Sequence, residues 1–388
     1  MKQYFSLSQK LNLAKGLIFK NNPLYVQFYI TARCNLVCEQ CNIIYADSAQ
    51  REMDIKQINN VAENLAEIGL GMVLLIGGEP FIRKDIAEIV KAFTERGIHV
   101  RMQTNGLASR DKLEKCIKYG GHDISVSLDS LNEDTQNEIN GNFKKSWSKA
   151  IETIALINEI FPENGTAFFN NVLMPKSIAD TEKIIKFGTK IGWGTSIVPC
   201  HITKNSHPRG FSSFDEKQKV TFEKDEYSRV KKTIENIKVL RNQGETVYDS
   251  DEYLDDMYRY ITKEKLKWRE RNNDICDSPN LYFAISPNGN LKTCCDFETL
   301  NKYPVYSKNF VNDFRNGTIA HEVYKTTSSC SGCLYGSYPE ITITARYLLP
   351  LLKRMIYFNV KPPKLKKFSA NEMKEIAREI DNENLNVQ

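Results

Sequence analysis

No uninterrupted apolar run in this chain approaches the roughly 18 residues that cross a bilayer, so a membrane-spanning protein is not expected. The opening stretch, MKQYFSLSQKLNLAKGLIFKNN, has neither the long apolar core nor the small-residue cleavage site of a secretory signal. The expected location is therefore the cytoplasm. Histidine is scarce: His99, His122, His201, His207 and His321 share no ligand-like spacing and receive no metal. A strong charge of one sign is missing as well. The 53 Lys and Arg against 48 Asp and Glu leave a formal charge of +5. That excess is too mild for the basic footprint of a nucleic-acid binder, and no nucleic-acid partner is expected. Internal repeats and low-complexity tracts are absent too, which excludes solenoids and compositional linkers.

What remains is an ordinary globular composition, 41% hydrophobic and 26% charged, on 388 residues. Single cores stop growing near ~250 to 300 residues, so a large core plus a second module is expected. The ten cysteines are the anomaly. Cytosolic thiols are kept reduced, so their number points to metal ligation or redox chemistry rather than disulfides.

Between residues 25 and 200 the short apolar runs YVQFYI, MVLLI, IHVRM, DISVSL, AFFNNVL and SIVP alternate with amphipathic stretches near 55–69, 84–97, 110–119, 145–161 and 178–191. Repeated strand and helix units predict a parallel sheet, as a full or partial barrel or as an open doubly wound sheet. Ligands gather at the carboxyl ends of its strands. Residues 1–24 read as an N-terminal helical extension and 201–275 as a charged, helical connector. Residues 276–336 form a small cysteine-dense module, where FAISPNGNLKTCC reads as a hairpin turning at Pro287, Asn288 and Gly289. The tail, 337–388, contains RYLLPLLKRMIYFNV followed by KPPKLKKF. It is expected to pack back on the body, with a membrane-surface or partner-binding element as the alternative.

The segment FYITARCNLVCEQCN places Cys34, Cys38 and Cys41 in a C-x3-C-x2-C arrangement directly after the first strand. Cluster ligation normally uses four cysteines, so a tight set of three suggests a cubane with one iron open to an external ligand. An open position is also what separates catalytic from structural zinc sites. On these residues alone, a zinc site with a distant fourth ligand stays possible. Further on, LLIGGEP ends the second strand. Gly77 and Gly78 let backbone approach a ligand closely, and Glu79, before Pro80, offers a carboxylate to an ammonium group.

Together the two motifs resemble the radical SAM superfamily. The resemblance implies that the open iron is chelated by the amino and carboxylate groups of S-adenosylmethionine. One electron from the [4Fe–4S] cluster then splits the sulfonium to a 5′-deoxyadenosyl radical, which abstracts a substrate hydrogen. It also implies an α/β fold, a partial (β/α)6 TIM-like barrel over 25–200, in which Gly77, Gly78, Glu79 and Pro80 hold the methionine amino group. At the other strand ends, Asn105 with Gly106, Ser127 with Asp129, and Asn171 become candidates for ribose and methionine-carboxylate contacts. Each also reads as a cap, an Asx turn or a buried hydrogen bond. Gln40 departs from the family pattern, which usually has an aromatic residue before the third cysteine.

A second set follows. Cys276 and Cys294 are separated by 17 residues, with Gly289 in a G-x4-C relation to Cys294, and CSGC supplies Cys330 and Cys333. Four thiolates complete one closed cubane or one zinc ribbon. The pattern resembles the shortened auxiliary-cluster module called a twitch domain, since the longer SPASM version needs more cysteines. One auxiliary [4Fe–4S] cluster in a small C-terminal α+β domain is implied, with Cys295 as an alternative to Cys294. A closed cluster has no vacant iron, so its expected role is electron transfer. Cys116 and Cys200 read as small buried hydrophobes.

The expected protein is thus a radical SAM, S-adenosylmethionine-dependent iron–sulfur oxidoreductase served by an electron donor such as flavodoxin or ferredoxin. Its expected substrate is a small molecule of sugar or aminocyclitol type. A ribosomal peptide is the second expected class, disfavoured by the 24 residues that precede the first strand. From a different class comes a non-enzymatic zinc-binding scaffold.

Overall fold

Apolar runs covered on both faces favour parallel strands, and six form in chain order: β1 (Tyr25–Thr31), β2 (Met72–Gly77), β3 (His99–Thr104), β4 (Asp123–Ser127), β5 (Thr166–Leu173) and β6 (Gly194–Pro199). Each lies parallel to the next in the computed structural model. It describes residues 4–41, 51–201, 220–269, 276–294, 297–328, 330–335, 337–359 and 363–383. The sheet does not close, and β6 forms one of its edges. This is the expected partial barrel.

The helices Ile55–Glu67, Ile86–Thr94, Arg110–Lys118, Ser146–Ile160 and Thr181–Ile191 cover the outer face of the sheet. The first shows why such segments are helical. Asp54 and Gln57 form a reciprocal capping box, and Ile58, Val61, Ala62 and Leu65 recur at helical spacing and are buried. An additional short helix, Glu133–Ile139, precedes Ser146–Ile160 and is capped by Asn132. Its polar sequence carries no apolar period by which to foresee it.

Period-two alternation divides every strand between two environments. Val73, Leu75, Val100, Met102, Ile124, Val126, Ala167 and Phe169 join the core under the helices. The residues between them face the barrel interior, and many are polar: Gln27, Arg101, Gln103, Ser125, Ser127, Asn170 and Ser196.

Where the strands begin, the interior is plugged by a charged cluster. Arg101 Nε lies 2.9 Å from Asp123 Oδ1 and Arg101 Nη2 lies 2.8 Å from Tyr4 Oη. His99 Nε2 is 2.9 Å from Asp123 Oδ2, and the guanidinium sits 4.4 Å from the Phe168 ring centroid. Burial alone would raise the Asp123 carboxyl, but Arg101 and His99 hold it below the usual carboxylate range.

The cysteine-dense segment does not stand apart from this sheet. Its strand β7 (Tyr282–Ile285) pairs in parallel with β1, Tyr25 opposite Tyr282, and its strand β8 (Leu291–Lys292) returns antiparallel to β7. The hairpin turns at Pro287 to Gly289, where Gly289 has φ +88°. The other edge, β6, is extended by residues 246–248: Thr195 donates to the Thr246 carbonyl at 2.8 Å and Tyr248 to the Thr195 carbonyl at 2.8 Å. In the connector, helices Tyr227–Asn242 and Asp251–Ile261 pack together; residues 202–219 and 270–275 of it lie outside the described residues.

The tail is helical and packs back on the body. Helix Tyr338–Arg346 is followed by Leu348–Asn359. Helix Ala370–Asn382 then buries Met373, Ala377 and Ile380 against Ser146–Ile160 and Thr181–Ile191. No helix among the described residues is long and apolar enough to cross a membrane.

Candidate functional site

β1 delivers the chain into the loop carrying Cys34, Cys38 and Cys41, all partly exposed. The Leu36 N–H donates to the Cys34 sulfur at 3.4 Å, the Cys38 thiol to Asn140 Oδ1 at 3.3 Å, and the Cys41 N–H to the Cys38 carbonyl at 3.2 Å. Burial above all, with Cys41 adding, pushes the Cys34 thiol up to about 11. Burial, Cys41 and Cys34 raise Cys38 well above its usual value. The three sulfurs therefore share one electrostatic neighbourhood. Thiols that resist ionisation in each other's company become thiolates when a cation neutralises them, which is the donor chemistry of a soft metal centre. No three His, Cys, Asp or Glu side chains among the described residues close around a single metal ion.

Gly77 and Gly78 explain how the end of β2 reaches this loop. The Gly78 N–H donates to the Thr31 carbonyl at 3.0 Å and the Glu79 N–H to the Arg33 carbonyl at 2.8 Å. A Cβ on Gly77 would collide with the Thr31 carbonyl oxygen and one on Gly78 with that of Arg33. Two missing side chains thus let two backbones lie against each other just before Cys34.

Glu79, expected to face an ammonium group, is engaged here by the protein's own donors. The side chain turns inward, is 1% exposed, and accepts from Phe81 N–H at 2.9 Å, Thr104 Oγ1 at 3.0 Å and Asn105 N–H at 2.7 Å. It caps the one-turn helix that begins at Pro80 and ties the end of β2 to the end of β3. Burial pushes its carboxyl up to about 7 despite these three donors. Asn105 then crosses to the cysteine loop, its Nδ2 lying 2.8 Å from Asn35 Oδ1 and 3.8 Å from the Cys34 sulfur.

Ser127 and Asp129 both line a cavity of about 200 Å³ inside the barrel. Asp129 accepts from the Val172 N–H at 2.7 Å and from Gln40 Nε2 at 2.6 Å, and burial pushes it up to about 7. Asn171 lies on the opposite face of β5. Its amide donates to the Leu128 carbonyl at 3.2 Å and accepts from Thr181 Oγ1 at 3.0 Å, while its neighbour Asn170 lines the cavity. Among the described residues, the buried atoms Gln40 Oε1 and Ser125 Oγ find no hydrogen-bond partner, and both residues line the cavity. Such orphaned groups fit a polar ligand.

The sequence reading passed over His201, the residue after Cys200 at the end of β6. It lines the cavity, its Nδ1 is 3.0 Å from Tyr260 Oη, and its ring packs edge-on against Tyr335 at 4.6 Å. Its position at a strand end was the available signal. Cys200 itself packs with Ile139, Met174 and Val220, and burial pushes its thiol up to about 12. Cys116 is buried under the helix layer.

In the second set, burial above all, with Cys330 adding, pushes the Cys276 thiol up to about 11, so these two sulfurs are neighbours. The C-x2-C carbonyls are held from one side: Trp268 Nε1 donates to Cys333 at 3.0 Å and Arg269 to Cys330. Cys294 follows β8, its N–H donating to the Phe297 carbonyl at 3.3 Å. Cys295 lies outside the described residues.

An open parallel barrel with three neighbouring thiols on the loop after its first strand suits a metal-dependent redox enzyme. Residues 28–188 match the model of the radical SAM superfamily, so the chain carries a radical SAM domain. Members of that superfamily use a [4Fe–4S] cluster and S-adenosylmethionine, and the chain is an enzyme of this kind.

The named relatives differ in what they act on. The chain is 28% identical over 274 residues to a protein of Sulfurisphaera tokodaii named Probable GTP 3′,8-cyclase, covering 68% of this chain and 79% of that one. It is 30% identical over 140 residues to the PqqA peptide cyclase of Bradyrhizobium diazoefficiens, covering 36% of this chain and 37% of the relative. Among solved structures, Streptococcus suis SuiB bound to precursor peptide SuiA superposes with a TM-score of 0.60 at 17% identity. That likeness covers 93% of this chain and 79% of SuiB, so the shared fold extends past the barrel into the second cysteine set.

Proposed function

We propose that Cys34, Cys38 and Cys41 hold the superfamily's [4Fe–4S] cluster and that the enzyme oxidises or otherwise modifies a small polar molecule bound in the barrel. The observation that carries this reading is that three neighbouring thiols share the loop whose Gln40 lines a cavity together with Gln27, Gln103, Ser125, Ser127 and Asn170. When bound, the cluster and S-adenosylmethionine supply a 5′-deoxyadenosyl radical that takes a hydrogen atom from the substrate.

The chain's own residues bind and orient. Gly77 and Gly78 let the end of β2 lie against the backbone just before Cys34, which brings the methionine-binding segment beside the cluster, with Glu79 and Pro80 fixing that segment from behind. Asn105, Ser127 and Gln40 offer amide and hydroxyl groups to its carboxylate and ribose, and Asp129 positions the Gln40 amide. Asn171 contributes only by bracing β4 and β5. Cys276, Cys294, Cys330 and Cys333 provide a full ligand set for an auxiliary [4Fe–4S] cluster, which would accept one electron from the substrate and make the net reaction an oxidation. An external donor such as flavodoxin or ferredoxin supplies the electron for the first cluster.

A peptide substrate is the second reading, favoured by the fold likeness to SuiB in complex with its precursor peptide. The test uses reduced holoenzyme, S-adenosylmethionine and extract from cells grown on deuterated medium, split into small molecules and peptides. Deuterium should enter 5′-deoxyadenosine with the small-molecule fraction. Transfer from the peptide fraction alone would replace the first reading by the second.

A further inference from the structure

The end of the barrel opposite the cysteine loop carries an unusual surface. Three segments converge where the strands begin. Helix Leu7–Phe19 lies against Gly71 through Leu13, and its Gln9 Nε2 donates to the Gly97 carbonyl at 3.1 Å. Helix Leu348–Asn359 lays Tyr357 against Gly194, the first residue of β6. Residues 363–368 cross the same end, the Lys366 N–H donating to the Ile191 carbonyl at 3.0 Å and Asn158 Nδ2 to the Lys366 carbonyl at 2.7 Å.

A soluble amphipathic helix turns its apolar stripe to the core, but both of these helices carry an apolar stripe outward; the first does so while also packing Leu13 and Leu17 inward. In the first, Leu7, Leu11, Ile18 and Phe19 are 55–73% exposed. In the second, Leu348, Leu349, Leu352, Met355 and Ile356 are 45–70% exposed. The polar residue Arg354 of that helix points inward instead, 2.7 Å from Glu340 and 4.3 Å from the Tyr248 ring. Spacings of three, four and seven align each set on one side of its helix.

Charge says what covers these stripes. Residues 1–38 contain five Lys and Arg and no Asp or Glu, and residues 341–371 contain seven and none. The rest of the chain has 41 Lys and Arg against 48 Asp and Glu, so the whole basic excess lies in the two segments that bear the exposed apolar stripes. Lys353 is paired with Asp251 and Arg354 with Glu340, while Lys364, Lys366 and Lys367 are exposed beside the second stripe. Apolar residues rimmed by lysine match an anionic lipid surface, where stems and stripes enter the interface and ammonium groups meet headgroups. A second copy of the same face would instead oppose like charges.

We infer that helices Leu7–Phe19 and Leu348–Asn359, with the lysines of 363–368, form a peripheral docking face for an anionic membrane, holding the protein with its cysteine loop directed away from the lipid. The test is sedimentation of the full-length protein with vesicles of phosphatidylglycerol and phosphatidylcholine (3:7) and with pure phosphatidylcholine vesicles, at low and high salt. The protein should partition at least tenfold more strongly onto the anionic vesicles, and high salt should weaken this. The double variants L352S/I356S and L11S/I18S, at exposed positions and checked by circular dichroism, should each lower partitioning tenfold or more while leaving bound iron unchanged. No sedimentation with anionic vesicles would overturn the inference. So would double variants that bind like wild type, or a vesicle-free dimer that L352S/I356S dissolves.

Discussion

Gln40 Nε2 lies 2.6 Å from Oδ2 of Asp129, joining the residue before the third cysteine of the loop to the end of β4. The carboxyl is buried, and its one other described donor is the Val172 N–H. At the point where the superfamily pattern usually has an aromatic side chain, this chain has an amide that fastens the cysteine loop to the barrel.

Replacing Gln40 by Leu removes that donor from a buried carboxylate. Above pH 7, where Asp129 is ionised, the loss should cost about 1–3 kcal/mol of stability. At pH 5.5, where a carboxyl raised to about 7 is mostly protonated, it should cost less. Urea denaturation at both pH values checks this, and an equal cost at each would contradict it.

A methyl group at Gly78 has nowhere to go but into the Arg33 carbonyl oxygen. Gly78→Ala should therefore separate the end of β2 from the cysteine loop. Reconstituted variant should lose roughly half its iron, the share of one of two [4Fe–4S] clusters, and keep the absorbance of the other. Full iron loading with wild-type S-adenosylmethionine affinity would show that the close approach is dispensable.

Asp123→Ala strands the Arg101 guanidinium in the barrel floor. Removing one partner of a buried ion pair costs about 3–5 kcal/mol, and thermal denaturation should show a loss of that order. The double variant D123A/R101M should recover part of it, because no unpaired charge remains. A single variant as stable as wild type would mean that Tyr4, His99 and the aromatic rings suffice for Arg101.

Asp249 gives the pH dependence a second source. Burial, with repulsion from Glu340, pushes its carboxyl from 3.8 up to about 7, although it accepts from Ser196 Oγ at 2.9 Å and Ile197 N–H at 2.6 Å. A carboxyl raised in the folded state contributes stability that is fully present below its unfolded value and is lost as pH rises through the folded one. Wild type should thus lose stability between pH 4 and pH 8. In Asp249→Asn that slope should flatten, so that the variant gains on wild type by roughly 1–3 kcal/mol between those limits. Parallel stability profiles would contradict this.

Much of the architecture was legible because each local signal agreed with the global pattern. The runs from YVQFYI to SIVP became β1 to β6, and the amphipathic stretches became the helices between them. The motif Gly77–Gly78 could be read as a close approach, and the structure shows backbone as what approaches. The role of Glu79 was not legible, because its three donors come from Phe81, Thr104 and Asn105, two of them at the end of another strand. Nor was the pairing of β7 with β1, since a parallel partner some 250 residues away leaves no mark on either sequence. Asn171 illustrates a finer limit. A polar residue at a strand end points inward or outward according to a one-residue register that composition does not set.

The central claim is that three sulfurs on the loop after β1 hold the cluster that works on S-adenosylmethionine. It is tested most directly by measuring 5′-deoxyadenosine released by anaerobically reconstituted, reduced protein, comparing wild type with Cys38→Ala and with Cys330→Ala. Wild type should release it, Cys38→Ala should release none above background, and Cys330→Ala should still release it after losing the auxiliary iron. Release by Cys38→Ala at the wild-type rate would contradict the assignment.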